Sequence, residues 1–291
     1  MKNNKQILVT GGAGFVGTNL IKLLLKKTSY KVVSIDNYTS GTKLNHIRSS
    51  RVKYIKGNTA NISKFVKNPN KIKTIFHFGE FARIYQSFLK MDQCIESNSI
   101  GTNAIFNFCL KHKVKLIYSA TSASLGNKGN DRNLSPYAFT KAKNLELLEN
   151  LKKWFNFKYE VIYFYNVYGP HQICRGQMST VIGIFEDHYK RKEPLPVVLP
   201  GTQTRRFTHI SDTVEICYLA WKKNLCRHYS IASKKSYSVL EVAKIFKSKI
   251  KFLPRRQGER YASALTKMNL SNKIYKHFGK IKLKDYIHDL I

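Results

Sequence analysis

Apolar positions along this chain alternate between two rhythms. Residues 5–10 form a short β-branched run that ends at Gly11 and Gly12, and residues 15–25 then take up helical spacing with Phe15, Leu20, Leu23 and Leu24 apolar. Residues 31–35 read as a second buried strand, closed by Asp36. Further strand patterns fall at 52–55, 74–78, 115–118 and 159–164, separated by helical stretches such as 95–111 and 137–155. Strands alternating with helices predict an α/β fold around a doubly wound parallel sheet. After Asn166 the rhythm breaks, and Gly169-Pro170, the prolines at 194 and 196, and Pro200-Gly201 punctuate shorter segments around one helix near 177–192. A helix over 212–223 returns to the main body, and another over 238–249 opens with Ser238 and Glu241 at capping-box spacing. The pattern predicts a larger domain from 1–166 with 207–235 returning to it. A smaller, interleaved lobe takes 167–206 and 236–291.

Composition adds three constraints. With 291 residues, 43% of them hydrophobic, and no Gly/Ser-rich or long polar tract, the chain can bury a sizeable core and reads as neither disordered nor a string of modules. The first six residues run straight into the first strand, with no signal-peptide core, and no apolar run is long enough to span a bilayer, which predicts a cytoplasmic protein. The five cysteines show neither a C-x-x-C pair nor metal-ligand spacing, so they read as reduced structural thiols and no metal is expected. The formal charge of +34 admits a nucleic-acid or acidic-membrane partner. Yet the lysines are scattered, often beside Asn and Ile, as AT-rich codon usage would place them, and no clustered basic helix or aromatic-interleaved motif accompanies them. A basic fold reused for nucleic acid therefore stays the weaker competing class.

The run Gly11-Gly12-Ala13-Gly14-Phe15-Val16-Gly17 puts glycines between a strand and a helix, where backbone must approach a pyrophosphate and the helix N-terminus faces its charge. Asp36 ends the next strand, where a carboxylate accepts hydrogen bonds from both ribose hydroxyls and repels a 2′-phosphate; this favours NAD over NADP. Thr10 to Gly17 resembles the opening of the extended short-chain dehydrogenase/reductase family, which includes nucleotide-sugar epimerases, dehydratases and reductases on a Rossmann sheet. The resemblance implies cofactor contacts from Gly11, Gly14, Phe15, Val16, Gly17, Asp36 and the adjoining Asn37, and from Phe78. It also implies one from Asn58, which stands where an Asp often contacts adenine, and one from Asn98, which would equally serve to cap a turn.

Tyr137 and Lys141 sit four residues apart after Ser135-Pro136, so a helix presents phenol and ammonium on one face. A cation there would lower the phenol pKa toward working pH and make Tyr137 a general base for a sugar hydroxyl. Upstream, Tyr118-Ser119-Ala120-Thr121-Ser122-Ala123 resembles the family segment that carries a catalytic Ser or Thr. Aligned on Gly126, that role falls to Thr121, with Ser122 as its rival for holding the sugar oxygen. Lys141 would also hold the nicotinamide ribose. The family's 4,6-dehydratases continue from this Thr with Asp and Glu; Ser122 and Ala123 cannot supply that acid and base.

On the substrate side, Asn166 in Tyr165-Asn166-Val167-Tyr168-Gly169 resembles a residue that contacts the diphosphate or sugar. Arg205, in Gly201 to Asp212, resembles a diphosphate clamp, and Arg256 or its neighbour Arg255 a second phosphate arginine, roles that suit a permanently charged fork. A solvated basic surface is the competing reading of both. Glu80 and Arg83 stand where many relatives have small residues; they read as ligands for a sugar hydroxyl and for a phosphate or carboxylate, or as partners of each other. The resemblance implies an NAD-dependent nucleotide-sugar 4-epimerase working through a transient 4-keto sugar, with a C4 dehydrogenase, reductase or dehydratase as alternatives and a catalytically silent NAD sensor as a weaker one. It also implies a homodimer joined through the helices at 95–111 and 137–155.

Overall fold

The computed structural model describes residues 5–125, 132–258 and 274–291. Gly126, on which the role of Thr121 was aligned, lies outside them. The first βαβ unit consists of β1 (Gln6–Thr10), α1 (Phe15–Lys27) and β2 (Lys31–Asp36), with β1 and β2 paired in parallel. β3 (Val52–Lys56) extends the sheet beyond β2. On the other side of β1 lie β4 (Ile72–His77), β5 (Lys115–Thr121) and β6 (Tyr159–Phe164), followed by the strands His228–Ala232 and Ile274–Phe278. All eight strands run parallel.

Alternation along β1 explains why helices cover both faces. Ile7 and Val9 pack with Leu20, Ile21 and Leu24 of α1 and with Val214, Cys217 and Trp221 of the helix Ile210–Lys223. Leu8 points the other way, into a cluster with Ile105 and Phe106 of Thr102–Lys111 and Leu148 and Leu151 of Pro136–Phe155. A parallel sheet buried on both faces reads as nearly continuous apolar runs, which is why these strands were visible in sequence.

The smaller lobe has its own core, in which Phe185, Val197, Phe207, Val242, Phe246 and Ile287 are buried together. Its helix Val239–Ile245 starts with the expected capping box between Ser238 and Glu241 and ends short of the predicted 249. Two features depart from expectation. The helix predicted over 95–111 opens with a wide π-helical turn, Glu96–Gly101, before Thr102–Lys111. Gly101 permits close packing there, since a Cβ on it would lie 2.3 Å from the Thr59 hydroxyl. Ile274–Phe278, assigned from sequence to the smaller lobe, instead forms the edge of the main sheet beside His228–Ala232. One mostly exposed, lysine- and histidine-bearing edge strand carries little of the apolar signal that marks a central one. No helix among the described residues is long and apolar enough to cross a membrane.

Candidate active site

Strand order reverses at β1, which has β2 on one side and β4 on the other. Open parallel sheets bind ligands in the crevice at the carboxyl ends of such strands. Here that crevice is a cleft lined at one end by Gly11, Gly14, Phe15, Val16, Gly17 and Asp36, and at the other by Tyr137 and Lys141.

The cofactor end is shaped by missing side chains. Gly11 has φ +68°, and a Cβ on it would lie 2.8 Å from the Phe78 carbonyl; a Cβ on Gly17 would lie 2.1 Å from the Gly11 oxygen. The turn can therefore close only with glycine. Gly14 caps α1 without a side-chain hydrogen bond, so the first N–H groups of that helix stay available to an anion in the cleft. Asp36 is buried, accepting hydrogen bonds from the Ala13 N–H at 2.9 Å and the Tyr38 N–H at 2.8 Å. Burial raises its carboxyl pKa, a rise that these N–H groups and His46 only partly offset. Asn37, Asn58 and Phe78 line the same cleft. Asn58 accepts from Ala60 N–H and donates to Glu96 Oε1, both at 3.0 Å. This glycine cradle with a carboxylate at its far end fits a dinucleotide without a 2′-phosphate, held by Gly11, Gly14, the first turn of α1, and Asp36.

Asn98 is placed differently from the cofactor contact expected. Fully buried in the π-helical turn, it accepts from Phe81 N–H at 2.6 Å and donates to the Phe81 carbonyl at 3.0 Å and to Thr140 Oγ1 at 3.2 Å. It anchors the loop after β4 and does not line the cleft.

At the other end, Ser135 caps the helix Pro136–Phe155 by accepting from Ala138 N–H at 3.1 Å, and Pro136 starts its first turn. Tyr137 and Lys141 are thereby buried on its cleft face. Thr121, at the end of β5, accepts from Ala123 N–H at 3.2 Å and acts on the Tyr137 phenol to lower its pKa. Ser122 is only half-buried, begins the turn Ser122–Leu125 and does not line the cleft. The electrostatics correct the expected lysine effect. The Tyr137 phenol is pushed up to about 12, chiefly by burial; Thr121 and Arg83 lower it, and Glu80 raises it. The Lys141 ammonium is paired instead with Glu80, donates to the Ser119 carbonyl at 2.6 Å and lies 4.8 Å over the Tyr118 ring. Burial pulls Lys141 down, and Glu80 counters that.

Glu80 and Arg83 both line the cleft but do not pair with each other. The Arg83 guanidinium donates through Nε to the Met178 carbonyl at 2.9 Å and through Nη1 to the Ala82 carbonyl at 2.7 Å. The other expected substrate ligands stand away from this cleft. Asn166 is exposed, in the left-handed region at φ 35°, and donates to the Arg206 carbonyl at 3.0 Å. Arg205 lies in the strand Thr204–Arg206 opposite Tyr237 and donates to the Thr204 carbonyl at 2.9 Å. Arg256 is exposed, with its guanidinium 5.4 Å from the Tyr85 ring. Among the cleft residues that escaped sequence reasoning are Ile173 and Met178. They lie between strand and helix, where no periodicity marks them.

The fold and cleft define a dinucleotide-binding α/β protein with a buried Thr–Tyr–Lys cluster facing the cofactor end across a single cleft. Residues 7–232 match the NAD dependent epimerase/dehydratase family, and the chain belongs to that family, whose members are NAD-dependent enzymes. It is 28% identical over 260 residues to the ADP-L-glycero-D-manno-heptose-6-epimerase of Brachyspira hyodysenteriae, covering 83% of this chain and 80% of the relative. It is 27% identical over 274 residues to a putative UDP-glucose 4-epimerase of Methanocaldococcus jannaschii, covering 88% of each. The fold is shared with the UDP-glucose 4-epimerase of Thermotoga maritima, solved with UDP-glucose, at a TM-score of 0.87 and 24% identity over 97% of this chain and 96% of that one.

Proposed function

We propose that this enzyme is a nucleotide-sugar 4-epimerase. The observation that carries the reading is Tyr137, buried at the chemical end of the cleft with Lys141, where Thr121 acts on its phenol. Tyr137 takes the proton of the sugar C4 hydroxyl, Thr121 holds the same oxygen, and Lys141 fixes the ribose beside them. NAD held in the cleft would supply a hydride acceptor and donor for C4, which would make the net reaction redox-neutral. Asn166, Arg205 and Arg256, from the smaller lobe and its junction, are assigned to the nucleotide diphosphate; binding energy there retains the keto sugar while it turns over. Ser122 and Ala123, standing where a 4,6-dehydratase has its acid and base, support epimerisation over elimination. A second copy of the chain is the proposed partner. Met91, Ile100 and Phe139 are exposed apolar side chains on neighbouring helical segments, where a homodimer would cover them. Light scattering on a sizing column reads that directly.

The reaction is tested by incubating the protein with NAD and UDP-, GDP-, CDP- and dTDP-hexoses while NMR follows the sugar and absorbance follows the nicotinamide. Inversion at C4 without net NADH is expected. Accumulated 4-keto sugar with stoichiometric NADH would replace the proposal with a dehydrogenase.

A further inference from the structure

Glu80 is a buried carboxylate that none of the proposed chemistry uses. It follows β4 in the segment Gly79-Glu80-Phe81-Ala82-Arg83, and its side chain is 2% exposed. One carboxylate oxygen is ion-paired with the Lys141 ammonium. The other accepts from Thr102 Oγ1 at 3.0 Å, the Tyr118 hydroxyl at 3.1 Å and Asn144 Nδ2 at 3.3 Å. Four side chains drawn from three elements converge on this one group.

We infer that Glu80 is a positioning residue for the proton transfer: it locks the Lys141 ammonium in place and cancels its charge at Tyr137, leaving Arg83 as the cation that acts on the phenol. The inference rests on the reading of Tyr137 as the proton-transfer group. An ammonium has three N–H donors. One goes to Glu80 and one to the Ser119 carbonyl, so Lys141 has a fixed direction and a single donor left for a ligand. A closely paired cation and anion present a dipole to a third group, and a dipole's influence falls off faster than that of a lone charge. The remaining groups around the pair do not restore a charge. His77 is pulled down to about 4 by burial and stays neutral, and Cys94 is pushed up to about 11 and stays a thiol. Tyr118 is a phenol raised well above its ordinary value. Arg83 is the one other cation lining the cleft among the described residues, its donors going to the Met178 and Ala82 carbonyls and to no carboxylate.

The test needs no knowledge of the sugar. Full-length protein carrying tyrosine labelled with 13C at Cζ, saturated with NAD, is titrated by NMR, with the Tyr137 signal assigned by its loss in Tyr137→Phe. In Glu80→Gln the amide still accepts the three neutral hydrogen bonds but leaves the Lys141 charge unopposed. Its phenolate fraction at a given alkaline pH should then rise about tenfold, one unit of pKa. Arg83→Met should shift the signal the other way. Tyr137 signals that track each other in wild type and Glu80→Gln, including signals that do not move, overturn the inference. Should Glu80→Gln fold poorly, thermal melting still decides. Lys141→Met strands a buried carboxylate, so Glu80→Gln/Lys141→Met should melt above Lys141→Met alone. A double variant that melts lower refutes the pairing. Both readouts are independent of turnover, so this inference and the epimerase reading fail separately.

Discussion

Tyr137 is held where burial works against ionisation, and the proposed function gives it the proton of the sugar C4 hydroxyl. Tyr137→Phe removes the transferable proton. Turnover should fall by about 10²–10⁴, the usual contribution of a general acid–base group, while stability changes by no more than about 1 kcal/mol. Steady-state kinetics beside urea melts would check both. His77 makes a second prediction at this scale. Its ring accepts or donates at 2.7 Å to Thr10 Oγ1 and 2.9 Å to Thr102 Oγ1, and burial pulls its pKa down to about 4. Between that value and the unfolded value of about 6.5, the unfolded chain binds a proton that the native one refuses, so stability falls as pH drops through this window. The loss attributable to His77 approaches about 3 kcal/mol at the lower end. Urea titrations from neutral to acidic pH should show a shallower decline in His77→Gln than in wild type. Of the candidate residues, the glycines, Asp36, Tyr137 and Lys141 were legible because their spacing follows from one turn or one helix. The partner of Lys141 was not. Glu80 reaches it from another strand's end, and nothing local in sequence distinguishes that pairing from one with Arg83.

At the scale of elements, the strands and helices that cover the sheet were legible wherever burial on both faces produced long apolar runs, as in β1, β4 and β6. The π-helical turn Glu96–Gly101 was not, because its cause is tertiary: Asn98 turns inward to hold Phe81, and Gly101 lets the turn sit against Thr59. Asn98→Ala would leave the Phe81 N–H and carbonyl without their partner in a buried site. Each such group costs about 1–3 kcal/mol, so the variant should lose about 3 kcal/mol by denaturant melting. Glu80 and Arg83 flank Phe81, so turnover should fall further than instability alone explains at temperatures where the variant remains folded.

Over the whole molecule, 51 basic residues face 17 acidic ones, so most cations have no anion to pair with. Self-repulsion of that kind weakens the compact state and is screened by salt. Raising NaCl from about 20 mM, where charges interact over more than 20 Å, to about 300 mM should raise the melting temperature by several degrees in differential scanning fluorimetry. A melting point that stays flat or falls would mean that the lysines are compensated locally. The sequence pattern already placed departures after Asn166 and at 236 with a return over 207–235; it did not place the later return of Ile274–Phe278 to the sheet. The chain leaves the sheet after Phe164, returns at Ile210, leaves again at Ser236, rejoins by Ile274 and departs once more at Leu283. Two bodies joined by so many strands of one thread cannot be excised from each other by a single cut. A protease that nicks any one crossing leaves the others bridging the halves, and heating should unfold both in one calorimetric transition rather than two.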